Sequence, residues 1–354
     1  MTKKTAIFLG AGASAAEGAP VQNALFKEYF SSKNIHKQPE IYDVLGQFFR
    51  RIFNINLTGP LKNITFPTFE EALGVLDLSE MRRESLRGFD FAGAAPPGDQ
   101  PQPPGNQPQA YGNRVQLIRY YLTLAMAKAI DDGLRNQGKQ KRNRKNQQAP
   151  HRLLVDNLGK QGLLANTIFI STNYDILIDT ALDMNLDYGV EFAGQHRFGG
   201  RETAGPNAVR LFKIHGSLNW LYCPVCNNLN GYEAKAVLSL LYPDKSITRC
   251  EFCSSVMTPV IVPPTFYKDM SRVFLSSIWN RAENALREVD HVIFCGYSLP
   301  DADMHIKYLL KRIQTNRREL KSVRFTLVNH HAKKKKKEAD DEQQRFSGIS
   351  DGTF

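Results

Sequence analysis

Thr5-Ala-Ile-Phe-Leu-Gly-Ala-Gly-Ala-Ser14 is the stretch that decides the fold. Residues 5 to 9 are an apolar run of strand length that ends on glycine, and helical spacing follows from Ala13 to Phe30. Lacking Cβ, Gly10 and Gly12 allow a ligand to approach the backbone closely, while a helix N-terminus supplies unpaired N–H donors and a partial positive charge. Ser14 adds a hydroxyl. The segment is not the full G-x-G-x-x-G fingerprint, and a plain tight strand–helix turn would use the same glycines.

Four further segments repeat the pattern of an apolar strand with a polar or glycine end. Thr167-Ile-Phe-Ile-Ser-Thr-Asn173 ends on asparagine, and Ala208-Val-Arg-Leu-Phe-Lys-Ile-His215 on histidine. His291-Val-Ile-Phe-Cys-Gly296 ends on glycine, and Val323-Arg-Phe-Thr-Leu-Val-Asn329 on asparagine. Helical patterns over 277–287 and 304–316 lie between them. Strands alternating with helices predict an α/β fold, a Rossmann-like doubly wound parallel sheet, in which ligands bind beyond the carboxyl ends of the strands. Gly10, Asn173, His215, Gly296 and Asn329 would then collect at one edge.

The remaining chain divides around that sheet. Residues 31–159 read as a mainly helical insertion, with three- and four-residue apolar spacing over 69–76 and 115–134. Its stretch at 92–113, rich in Pro, Gly, Gln and Asn, reads as a disordered surface loop, and 136–150 as a second polar stretch. Cys223-Pro-Val-Cys226 and Cys250-Glu-Phe-Cys253 form two C-x-x-C knuckles within a module at 223–257. Four thiolates at this spacing suit a small zinc ribbon, and they close the coordination shell, which makes the metal structural. Residues 1–30, 160–222 and 258–354 remain for the nucleotide-binding part. Cys295, in an apolar run, reads as a buried free thiol.

His215, beside Gly216 and just ahead of the knuckles, is the candidate base, because its ordinary pKa lies near neutrality. Asn173 reads either as a turn residue or as a hydrogen-bonding partner for a ribose hydroxyl or a water. Asp175 reads either as a helix cap or as an orienting carboxylate. His36, His151, His196, His291, His305, His330 and His331 show no metal-ligand spacing and stay unassigned.

With 354 residues, 42% hydrophobic and 23% charged, the chain has the composition of a globular protein with a substantial core. No apolar run approaches the roughly 20 residues of a membrane helix. The start, Met-Thr-Lys-Lys-Thr, is too short for a signal peptide, so a cytoplasmic location is expected. The net charge of +11 concentrates in Arg135, Lys139, Lys141, Arg142, Arg144 and Lys145, and in Lys333 to Lys337. Such runs can grip nucleic-acid phosphates or serve as solvated faces, and no aromatics interleave them for base stacking.

Taken in order, these segments resemble the sirtuin family. Gly10-Ala-Gly-Ala-Ser14 with Gly18-Ala-Pro20 is similar to that family's G-A-G-x-S-x-x-x-G-I-P motif, and Thr172-Asn-Tyr-Asp175 to its Q-N-I-D segment. His215-Gly216 matches its catalytic H-G, the knuckles its zinc ribbon, and Gly296-Tyr-Ser298 its G-T-S loop. The resemblance implies NAD as the ligand, with phosphates at Gly10, Ala11, Gly12, Ser14, Gly296 and Ser298. It further implies the nicotinamide riboside end at Asn173 and Asp175, His215 as base, and the adenosine ribose at Asn329.

Departures bear on the reaction. Pro20 is followed by Val-Gln-Asn where deacylases carry Asp-Phe-Arg, and Thr172 stands in place of the Q-N-I-D glutamine. Thr258-Pro-Val-Ile-Val-Pro-Pro-Thr265 occupies the place of the strand that pairs with an acyl-lysine peptide, and consecutive prolines lack the N–H groups for that pairing. The pattern resembles bacterial sirtuin-like NAD-consuming proteins of antiphage defence. The expectation is an NAD hydrolase using NAD as substrate, controlled by homo-oligomerisation or by a partner such as a HerA-type ATPase. A protein deacylase or ADP-ribosyltransferase and a non-catalytic nucleotide-sensing or nucleic-acid-binding subunit are the alternatives.

Overall fold

The computed structural model describes residues 3–31, 38–82, 84, 86, 114–141, 149–183, 186–193, 208–232, 236–241, 248–262, 273–301, 303–315, 323–329 and 336–347. The stretch 92–113 lies outside the described residues, as do 142–148 and 330–335 with much of both basic runs.

The first strand, β1 (Thr5–Leu9), leads through Gly10 into a short helix, α1 (Ala11–Ala15). The continuous helix read to Phe30 is broken. Gly18 takes φ +104° and Pro20 follows, so the chain turns before α2 (Leu25–Ser31). Helices α3 (Pro39–Ile52), α4 (Phe69–Arg82), α5 (Arg114–Lys141) and α6 (Pro150–Lys160) come next. Then follow β2 (Thr167–Ser171), α7 (Leu177–Leu182), β3 (Leu186–Asp187) and β4 (Val209–Lys213). An antiparallel group, β5 (Gly216–Tyr222), β6 (Leu229–Gly231) and β7 (Thr258–Ile261), precedes α8 (Val273–Leu286). The described chain closes with β8 (His291–Cys295), α9 (Met304–Thr315), β9 (Arg324–Val328) and α10 (Lys336–Ser347).

Six strands form a parallel sheet in the order β3-β4-β2-β1-β8-β9. From β1 the chain first builds toward β2 and β4, then crosses back to β8 and β9. Right-handed crossovers in opposite directions put α6 and α7 on one face and α8 and α9 on the other. The α6–α7 and α8–α9 contacts agree with that assignment. The reversal lies between β1 and β8, which is where such sheets open a crevice. Burial on both faces accounts for the unbroken apolar runs, and every residue of β2 is buried.

A second hydrophobic core lies apart from the sheet's own. Helices α2, α3 and α4 pack on α5, and Phe26, Phe48, Phe49, Phe69, Leu122 and Met126 are buried among them. Leu218, Leu221, Cys223, Cys250 and Met257 of the cysteine module belong to this same core. The insertion and the ribbon, read separately in the sequence, thus share their packing. Strand β5 pairs with β6 and β7 in a separate three-stranded antiparallel sheet.

Candidate active site

Register fixes the site. Leu9 of β1 stands opposite Ser171 and Cys295, Ser171 opposite Lys213, and Cys295 opposite Val328. The ladder continues one residue further: Ile214 N–H donates to Ser171 O, Thr172 to Leu9, Gly10 to Cys295 and Gly296 to Val328, at 2.9 to 3.2 Å. Five strands therefore stop at one level, and a cavity of about 1170 Å³ lies beyond them. Pockets for drug-sized ligands run to about 1,000 Å³, so the space suits a larger ligand.

Ala11, Gly12, Ser14, Asn173, Asp175, His215, Gly296, Ser298 and Asn329 line this cavity, with Gly10 lying just beneath. The glycines have a packing reason to be there. A Cβ on Gly10 would sit 2.6 Å from the Gly296 carbonyl oxygen, and one on Gly296, at φ +61°, 2.0 Å from Ala13 N. The Gly12 amide is spent on the Gly296 carbonyl at 2.8 Å. The two loops cross backbone to backbone, which brings the ends of β1 and β8 together at the reversal point.

Asn173 is buried, and its Nδ2 donates to Gly10 O and Ser14 Oγ, both at 2.8 Å. Both amide hydrogens being committed, Oδ1 is the group it keeps for a ligand or a water. Asp175 accepts the Leu177 amide at 3.0 Å across a two-residue turn while also lining the cavity; the helix cap position itself falls to Ile176 and not to Asp175. Below it Lys213 and Asp179, both fully buried, form an ion pair at 3.0 Å. Lys213 also donates to the Asp175 carbonyl, and Tyr188 donates to Asp179 at 2.7 Å. Nothing local marks this network, because Lys213 reads as an ordinary strand residue.

His215 is buried, with Nε2 3.7 Å from Asp303 Oδ1. Asp303 immediately precedes α9 and takes the Tyr297 hydroxyl at 2.7 Å on its other oxygen. The ring of Tyr174 lies 6.5 Å from that of His215. Burial pushes the Tyr174 and Tyr297 phenols well above their ordinary range, and the charges of Asp303 and Glu70 add to this. Both phenols therefore stay protonated and serve as donors. Asp303, Tyr174, Tyr297 and Glu70 escaped the sequence reading. Asp303 carried only a helix-start signal, and Glu70 is simply the neighbour of a capping box in which the Thr68 hydroxyl takes the Glu71 amide and Glu71 the Thr68 amide.

His151, unassigned from sequence, lines the cavity and bonds Glu17 through Nδ1 at 2.6 Å. Cys295 is half-buried on the cavity wall rather than sunk in the core, and its partial burial raises the thiol pKa.

The four cysteines of the knuckles converge, with their sulfurs all within 4.8 Å of one another. The two turns repeat one design. Asn227 and Ser254 each take a positive φ of 58°, and their amides return to the Cys223 and Cys250 carbonyls at 3.0 and 2.9 Å. A soft, compact four-sulfur set of this kind fits zinc. No helix among the described residues is long and apolar enough to cross a membrane.

The chain is similar to several solved structures. It is 14% identical to a Sir2 homologue in complex with NAD, covering 98% of this chain and 91% of that one with a TM-score of 0.36. For a Sir2 protein bound to a propionylated peptide the identity is 13%, the coverage 98% and 94%, and the TM-score 0.37. A structure described as the basis for sirtuin substrate affinity is 14% identical, with coverage of 98% and 94% and a TM-score of 0.35. No curated protein matches. A sequence profile of the SIR2-like domain matches residues 167–348, just over half the chain, from β2 through α10. The chain belongs to the SIR2-like family.

Proposed function

We propose that the protein is an NAD⁺ hydrolase that releases nicotinamide and ADP-ribose. Its family supports NAD-dependent chemistry of sirtuin type in broad terms. The observation that carries the reading is the meeting of the glycine loop, Asn173 and His215 in a single cavity.

In this reading the pyrophosphate lies against Ala11, Ser14 and Ser298, where Gly10, Gly12 and Gly296 keep the backbone low, and Asn329 takes the adenosine ribose. Asn173 and Asp175 flank the nicotinamide riboside. The C1′–N bond breaks with its electron pair passing to the pyridine nitrogen, which cancels the pyridinium charge. A water held by Asn173 Oδ1 bonds to C1′, and its proton passes to His215, steadied by Asp303. General-base help of this kind is worth about 10²–10⁴-fold.

Hydrolysis is favoured over transfer to an acylated peptide by the end of β7. The Val262 amide donates to the His215 carbonyl at 2.9 Å, and its carbonyl accepts the Tyr174 hydroxyl at 3.0 Å. Both backbone groups of that residue are therefore committed beside the histidine, and Pro263 and Pro264 follow it. The further roles, in bacterial antiphage defence, with control by oligomerisation or a HerA-type ATPase, rest on the sequence resemblance. The fitted zinc set is assigned a structural part.

Mass spectrometry of NAD, nicotinamide and ADP-ribose tests the reading, with the protein alone, with its genomic neighbour, and with an acylated peptide. NAD loss independent of peptide is expected. Loss that requires the peptide would replace hydrolysis by deacylation, and absence of loss in every setting would end the proposal.

A further inference from the structure

We infer that Glu70, supplied by the helical insertion, is the catalytic carboxylate that stabilises the ribosyl cation formed when nicotinamide leaves. The inference rests on the hydrolase reading and adds to it a residue outside every motif that resembles the family's.

Three carboxylates line the cavity among the described residues: Glu70, Asp175 and Asp303. Asp175 is engaged by the Leu177 amide, and Asp303 holds Tyr297 and faces His215. Glu70 comes from the opposite wall, on the first turn of α4. The Thr68–Glu71 capping box fixes that turn. A helix N-terminus also favours negative charge there. The start of α4 lies toward the histidine end, the Phe69 ring 6.4 Å from that of Tyr174 and Tyr174 6.5 Å from His215, and the Glu70 charge helps to raise the Tyr174 and Tyr297 phenols.

Gln22 donates to Glu70 Oε1 at 2.5 Å. Gln22 belongs to Val21-Gln-Asn, the segment that stands where deacylases carry Asp-Phe-Arg. The sequence departure and the insertion therefore meet at one hydrogen bond, and what they hold is a negative charge. The chemistry calls for one. As the C1′–N bond breaks, positive charge moves onto C1′ and the ring oxygen, and a carboxylate already fixed in place stabilises that charge without reorganising.

Steady-state kinetics of NAD hydrolysis, with NAD affinity measured separately by calorimetry, compare wild type, Glu70→Gln and Glu70→Asp. Glu70→Gln keeps the size and the bond to Gln22 while removing the charge. It is expected to lower kcat by about 10²–10³-fold with affinity for NAD and thermal midpoint unchanged. Glu70→Asp, which keeps the charge, should lose less, and this comparison stands even if Glu70→Gln folds poorly. Wild-type kcat in Glu70→Gln, or equal losses in both variants, would overturn the inference and leave the hydrolase reading in place. A wild-type protein inert toward NAD would instead remove that reading and this inference with it.

Discussion

The parallel sheet and the helical insertion enclose the same cavity by different means. On the sheet side the framework is the row of strand ends, whose positions follow from register: Leu9, Ser171, Lys213, Cys295 and Val328 share one level. On the other side Thr68, Glu70 and Ile130 project from helices whose placement depends on a second core, shared with the cysteine module. The family match covers β2 through α10, and the helices α2 to α5 lie outside it. The two sides meet closely at Gly133 of α5, where a Cβ would sit 2.6 Å from the Gly18 carbonyl oxygen and 2.9 Å from Pro20 Cδ.

The largest expected effect falls on the second core. Cys223 and Cys250 are both buried in it, so losing a thiolate would remove packing together with one of the four sulfurs that fit zinc. Structural zinc is worth about 10–16 kcal/mol of apparent binding free energy, which is also folding free energy. Cys223→Ser is therefore expected to give insoluble or unfolded protein, against wild type with one zinc per chain by elemental analysis. A soluble, active Cys223→Ser protein would break the link between metal and insertion.

On the sheet side Lys213→Met would leave the Asp179 carboxylate in the interior with the Tyr188 hydroxyl as donor but without its cation. Breaking a buried pair in this way costs about 3–5 kcal/mol. Urea denaturation should show that loss, and a Lys213→Met/Asp179→Leu double variant should regain part of it. A near-neutral single variant would mean that the pair does not anchor the Asp175 segment.

The seam should show a smaller effect. Gly133→Ala forces the Gly18–Pro20 loop to shift, and overpacking of this kind costs about 1–3 kcal/mol. Thermal denaturation should report that loss together with weaker NAD binding, because Pro20 lines the cavity. Destabilisation with unchanged binding would show that the two halves are joined mechanically but not functionally.

The halves were also unequally legible. Strands rich in apolar residues announce themselves as runs, so the buried β1, β2 and β4, the partly exposed β8 and edge strand β9, and the polar residues at their ends could be read from sequence. The antiparallel strand β5 could not. Its Ser217 and Asn219 are fully buried and satisfy one another at 2.6 Å, with Asn219 also donating to Tyr232 O at 2.9 Å. Interior polar residues paired in this way look like loop until their partners are known. Gly18 and Pro20 end what periodicity had extended as a single helix. Asp303 and Glu70 reach the site only through tertiary packing, and nothing local to either one distinguishes it from an ordinary helix start.

The central claim is that the strand ends form a hydrolytic NAD site worked by His215, and His215→Ala tests it most directly. Its NAD turnover, followed by mass spectrometry beside calorimetric NAD binding, should fall by about 10²–10⁴-fold. Binding should persist, because Ala11, Ser14 and Ser298 remain in place. Turnover at the wild-type rate in His215→Ala would contradict the account and leave the SIR2-like relationship as one of fold alone.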